Sequence, residues 1–173
     1  MFIPGILITI VTFPGVIVHE IAHQFFCKLS KVAILDVKYF RLGNPAGYVL
    51  HEHPKYTYQH LFIGLGPLFI NTFLGALIAF PAIIPSMDFG SSDPIDSILI
   101  WLGFSIAMHS FPSTVDAKSI WQAVMQPGVN FGYKLFAVPT VGLLYIGAIG
   151  SIFWLDAIYG IAVIMALPVL IFK

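Results

Sequence analysis

Residues 2–26 read FIPGILITIVTFPGVIVHEIAHQFF, an apolar run interrupted by Pro4, Pro14 and the ionisable trio His19, Glu20 and His23. Its length fits a membrane helix, because about 20 residues rising about 1.5 Å each cross the ~30 Å hydrocarbon core. A cleavable signal peptide does not fit. No basic residue precedes the run, its apolar part exceeds a signal core, and the first cations, Lys28 and Lys31, come after it.

The rest of the chain shares this character. Of 173 residues, 58% are hydrophobic, 15% aromatic and 9% charged, with a mean hydropathy of +0.93. A soluble domain carries about 25% charged residues, so this chain lacks the polar surface for a water-facing globule. An integral membrane protein is expected. Eight Lys+Arg balance eight Asp+Glu, which leaves no excess charge to attract nucleic acid. The single Cys27 makes no intrachain disulfide, so any metal must rest on His and carboxylate.

Residues 32–54 change pattern. Two β-branched and aromatic stretches flank Gly43-Asn44-Pro45-Ala46-Gly47, strong turn chemistry, and predict a small β-hairpin at the membrane surface. A second span is expected from Tyr58 to Ile84, a third from Ile95 to Ser110, and two more within 134–173, meeting near Gly150 to Asp156. The expected fold is an all-α polytopic membrane protein of about five transmembrane helices with the hairpin between the first and second, residues 1–173 forming one domain. Lys28, Lys31, Lys38, Arg41, Lys55, Lys118, Lys134 and Lys173 then fall on one side, with Asp88, Asp93, Asp96 and Asp156 on the other. Since cations concentrate in cytoplasmic loops, the N-terminus is expected outside and the C-terminus in the cytosol.

A charge near the bilayer centre costs about 2.5–3.5 kcal/mol on insertion scales, yet the first span carries His19-Glu20-Ile21-Ala22-His23, an HExxH motif. On a helix, positions i and i+4 share a face, so both imidazoles can bind one ion while Glu20 reaches its water as general base. The bland alternative is a chance pattern whose histidines hydrogen-bond to neighbouring helices. A catalytic zinc usually takes three protein ligands. Asp116, just past the third span, is the candidate third ligand, with a loop or helix-capping role as the alternative. His109 is its rival.

HExxH in an early span, a surface hairpin, Gly66-Pro67 with Asn71 in the second span, and Pro112 before Asp116 together resemble the three-helix core of site-2 proteases, the intramembrane zinc metalloproteases. The resemblance covers roughly residues 5–120 and leaves 134–173 as two additional helices. It implies one Zn2+ per chain held by His19, His23 and Asp116, Glu20 activating water, and Asn71 positioning the substrate backbone or stabilising an oxyanion. It also implies cleavage of another protein's transmembrane segment near the cytosolic face. Homo-oligomerisation stays open. Two departures mark a divergent branch: Asn71 stands four residues after Pro67 where the family usually has three, and Asp116 precedes Ala117 where the family usually has Gly.

Each feature has a plainer reading. Asn71 can serve as an interhelical hydrogen bond, and Gly66-Pro67 as a packing kink instead of a local opening. The strand Tyr48 to His51 can pair with an extended substrate or merely connect. His51 and His53 share a strand face that suits metal or solvent, His60 reads as interfacial, and Cys27 as a small buried hydrophobe or an extra ligand. A non-catalytic metal-binding or transport protein, and an inactive relative that binds transmembrane partners, are the competing function classes.

Overall fold

The computed structural model describes residues 5–88 and 93–171. Phe2 to Pro4 and Lys173, which entered the span and charge placement, lie outside them. Seven α-helices and one two-stranded sheet are present among the described residues: α1 (Gly5–Val11), α2 (Phe13–Leu29), β1 (Ile34–Lys38), β2 (Tyr48–His51), α3 (Thr57–Asp88), α4 (Pro94–Met108), α5 (Thr114–Val124), α6 (Phe131–Gly150) and α7 (Leu155–Ile171). The hairpin forms where the turn residues placed it. β1 and β2 pair antiparallel with Val37 opposite Val49, and the register slips between Ile34 and Asp36.

The first apolar run is not one straight span. It is bent by 82° between α1 and α2. Pro14 supplies the reason: lacking an N–H and fixed in φ, it fits the first turn of a new helix and not the middle of an old one. Thr12 closes the preceding turn, its hydroxyl donating to the Ile8 carbonyl at 2.7 Å.

Among the described residues, the number of membrane-length helices also falls below the expected five. Thr57–Ile84 and Phe131–Phe153 are long and apolar enough to cross a membrane, and the bent pair makes a third if it counts as one span. α4 and α7 are apolar but have 15 and 17 residues. At about 1.5 Å per residue they reach about 22 and 26 Å, short of the ~30 Å core. α4 is short because Asp93 and Asp96 form a capping box at its start and the Ser110-Phe111-Pro112-Ser113 turn ends it. The chain then enters α5, a helix the span count had not anticipated.

α2, α3 and α4 form the centre. Small residues let α3 and α4 approach closely: a Cβ on Gly103 would lie 2.6 Å from the Gly75 carbonyl oxygen. Ala76, Ala79 and Ala107 continue this seam, and Val163 and Ile164 of α7 close it. A second core joins α5 to α6 through Ile120, Val124, Val141 and Leu144, with Leu61, Leu65 and Leu68 of α3 against it. Large apolar side chains such as Phe69, Phe73, Leu77, Leu143 and Ile146 point outward. An outer surface of this kind is compatible with a membrane protein.

Candidate metal centre

The buried face of α2 carries the site. Val16, Glu20, His23 and Cys27 recur at helical spacing and are all buried, so the ionisable residues of the motif point into the bundle. His19 Nδ1 donates to the His109 carbonyl oxygen at 2.7 Å, and His23 Nδ1 to the Ile63 carbonyl oxygen at 2.9 Å. Carbonyls only accept, so each ring carries a proton on Nδ1 and turns its Nε2 inward, a lone pair when the ring is neutral. Those two Nε2 atoms face each other 3.1 Å apart. Two ring nitrogens this close need a positive charge between them, which either a proton on His23 beside Asp116 or a metal ion supplies.

Asp116 completes the set. Its Oδ2 lies 3.6 Å from His23 Nε2, and the ligand atoms of His19, His23 and Asp116 all fall within 4.8 Å of one another. Tetrahedral zinc, with bonds of about 2.0–2.1 Å, spaces its ligand atoms about 3.3 Å apart. The two separations from His23 bracket that value and all three atoms lie within 4.8 Å of one another, so the group is within metal-binding distance. Tying the far ring nitrogen to a carbonyl is also the usual way a metal-binding imidazole is oriented.

Asp116 sits in the first turn of α5, where Ser113 caps the helix. Ser113 donates to the Asp116 carboxylate from its hydroxyl at 2.6 Å and its backbone N–H at 2.9 Å. Partial burial opposes the charge on Asp116, but His23 and the bond from Ser113 outweigh it and hold the carboxyl well below the usual carboxylate range. Capping and a place beside His19 and His23, alternatives in the sequence, are compatible in this geometry. The spacing Ser113-x-x-Asp116 is a capping-box signature that could have revealed α5 beforehand.

Glu20 lines the same cavity of about 480 Å³ as His19, His23 and Asp116. The hairpin closes over it: a Cβ on Gly47 would lie 2.8 Å from Glu20 Oε1. Arg41 holds that loop, its Nε donating to the Pro45 carbonyl at 2.8 Å and its backbone N–H to the Ala46 carbonyl at 2.7 Å. Tyr48, Val49 and His51 of β2 form part of the wall. The sequence marked Gly47 as a turn residue and Arg41 as a cation beside the membrane, but not their place at Glu20, because the loop reaches it through tertiary packing.

Asn71 is not brought to the cavity. It is fully buried where α2, α3 and α4 meet, and its amide nitrogen faces the carbonyls of Gly15, Ile106 and His109 at 3.3, 3.2 and 3.0 Å. It therefore supports the carbonyl that orients His19, in the interhelical role the sequence left open. α3 runs through Gly66-Pro67 without leaving the helix. His109 lines the cavity but stands outside the ligand group, its Nδ1 donating to the Ser105 carbonyl oxygen at 2.9 Å. Cys27 packs with Val32 and Ile63 as a core side chain. No protein-family model, curated protein or solved structure matches the chain.

Proposed function

We propose that this chain is a membrane-embedded zinc endopeptidase that hydrolyses a peptide bond in or near a transmembrane segment of another protein. The observation that carries the reading is the pair of Nε2 atoms 3.1 Å apart, with Asp116 beside them and the carboxylate of Glu20 in the same cavity. A structural histidine pair needs no buried glutamate beside it. The resemblance to site-2 proteases adds the reaction class and the substrate.

In this reading the protein crosses the bilayer five times, with the N-terminus outside and the active site near the cytosolic face. The shorter helices α4 and α7 are accommodated by local bilayer thinning, which costs fractions of a kcal/mol per Å. His19, His23 and Asp116 would hold a zinc ion, which when bound would supply Lewis-acid activation of water and of the scissile carbonyl. Glu20 takes the proton from the attacking water and passes it to the leaving amine, with its burial and the Gly47 loop keeping bulk water from competing. The His109 and Ile63 carbonyls fix both imidazoles before substrate arrives. The strand Tyr48–His51 holds an extended substrate segment along the cavity wall.

The test is cleavage of a transmembrane reporter by purified protein in lipid. Glu20→Gln is expected to lower the rate by about 10²–10⁴-fold while metal content stays at one equivalent. Equal cleavage by wild type and Glu20→Gln, with metal bound in both, removes Glu20 from the mechanism. Metal binding without any cleavage, together with metal flux into proteoliposomes, would instead establish the transport reading.

A further inference from the structure

A second pocket, of about 270 Å³, adjoins the metal cavity between α1, the end of α4 and the turn joining α6 to α7. Thr9 and His109 line both. His109 is also the residue whose carbonyl orients His19, so a side chain entering this pocket belongs to a residue close to the bond at the metal centre. The remaining polar lining, Ser151, Trp154 and Asp156, comes from the C-terminal helices that the site-2 protease resemblance leaves out.

The smaller polar groups here share one property: they accept. Thr9 gives its hydroxyl proton to the Gly5 carbonyl at 3.0 Å and Ser151 gives its own to the Ala148 carbonyl at 2.9 Å, so both oxygens keep lone pairs. His109 donates from Nδ1 to the Ser105 carbonyl, which leaves Nε2 as an acceptor when the ring is neutral. Asp156 is half-buried, and its Oδ1 accepts the Ala157 N–H at 2.8 Å. Among the described residues, no Lys or Arg forms an ion pair with it. A carboxylate drawn partly out of water without a counter-ion is costly, and four acceptors around one space suit a guest that only donates.

We infer that this pocket receives a Lys or Arg side chain of the substrate segment, so that Asp156 and His109 set a preference for a cationic residue beside the bond that is cut. Lys and Arg carry positive charge and donate without accepting. Trp154 adds an indole ring, whose face attracts cations, and Met108 adds apolar surface for the stem of a long side chain. The inference rests on the endopeptidase reading for the reaction, while the pocket's preference for a cation is measurable without it.

The experiment uses Zn2+-loaded full-length protein in lipid nanodiscs and a series of transmembrane reporters, each with one Lys, or Met in its place, at successive positions around the bond that is cut. Wild type is expected to show, at one position, a kcat/KM at least about 10-fold higher for Lys than for Met, the effect of one hydrogen bond between charged groups. Asp156→Asn is expected to remove most of that ratio and Asp156→Glu to restore it. Asp36→Asn, a change at an exposed acid of the hairpin, is expected to leave the ratio as in wild type. A general loss of fold lowers both reporters alike and does not move the ratio. Binding of the same reporters to Glu20→Gln protein repeats the comparison without cleavage. No Lys preference in wild type, one that Asp156→Asn leaves intact, or one lost equally in Asp36→Asn overturns the pocket. An Asp156-dependent binding preference in protein that cleaves nothing supports the pocket and counts against the endopeptidase reading alone, and cleavage without any preference does the reverse.

Discussion

The α2–α3–α4 crossing and the more apolar α6–α7 pair are held together differently. At the crossing, backbones touch: a Cβ on Gly15 would meet the Ser105 carbonyl oxygen and the His109 ring, and Gly15 N–H donates to Ser105 Oγ at 3.0 Å while that hydroxyl donates to the Thr12 carbonyl at 2.8 Å. Asn71 ties three further carbonyls together. The C-terminal helices meet their neighbours mainly through Leu, Val and Tyr side chains, with Gly160 the point where α7 nears the α4 backbone, an added Cβ lying 3.1 Å from Met108 N. An apolar groove of about 850 Å³ remains between α3, α6 and α7. Backbone contact and buried hydrogen bonds are densest beside the candidate ligands, and side-chain packing predominates in the C-terminal pair.

The largest effect expected from this difference is at the ligands. Asp116→Ala should lower metal affinity by more than about 100-fold, beyond the 10–100-fold typical of losing an outer partner, and abolish cleavage. Equilibrium dialysis against a chelator measures it. Unchanged affinity would place the third ligand elsewhere and leave Asp116 as a helix cap.

Next come the glycines. Gly103→Ala drives a methyl into the Gly75 carbonyl and Ala79, and overpacking of this kind costs about 1–3 kcal/mol. Gly142, in α6, has nothing within 4 Å of an added Cβ, so Gly142→Ala should be neutral or stabilise by up to about 1 kcal/mol. Thermal unfolding in one detergent compares them. Equal effects would erase the distinction between the two regions.

Asn71→Ala sharpens the same contrast. Losing the amide leaves the His109 carbonyl less constrained, so metal affinity should fall about 10-fold with kcat at saturating metal little changed. A selective loss of kcat with affinity intact would instead give Asn71 the oxyanion role.

How much of this was legible beforehand follows from the range of each interaction. His19, Glu20 and His23 lie within one helical turn or so of each other, so their shared chemistry is written in local spacing. The hairpin is similarly local, announced by Gly43 to Gly47. Asp116 was reached because it follows an apolar run and Pro112, although its capping by Ser113 went unread. The 82° bend at Pro14 was hidden by uniform hydropathy, since a hydrophobic run looks the same straight or broken. The carbonyls of His109 and Ile63, 90 and 40 residues from their histidines, leave no sequence trace, because every residue has a carbonyl. Gly47 over Glu20 belongs to the same class.

Gly47→Ala tests that unread contact. The added methyl would meet the end of the Glu20 side chain at 2.7–3.0 Å, and the flexible carboxylate can move aside at little cost in stability. Displacing a general base by a fraction of an ångström should reduce cleavage about 10-fold, with metal content and unfolding temperature unchanged. Full activity would show that the loop merely rests on Glu20.

The smallest effect is expected on the hairpin's solvent side, where the Tyr48 hydroxyl donates to Asp36 Oδ2 at 2.6 Å. That bond holds the Asp36 carboxyl below the ordinary carboxylate range. A lowered folded-state value means the contribution is complete above the unfolded value of about 3.9 and disappears as pH falls through the lowered one. At neutral pH it is fully present, and exposure keeps it small. Tyr48→Phe retains the ring beneath Arg41, 5.3 Å from its centroid, and removes only the hydroxyl. The Asp36 carboxyl carbon, followed by NMR, should then titrate at a higher pH, with cleavage at neutral pH nearly unaltered. A titration midpoint that does not move would mean that Val37 N–H and Lys38, the other groups favouring the carboxylate, set its value without Tyr48.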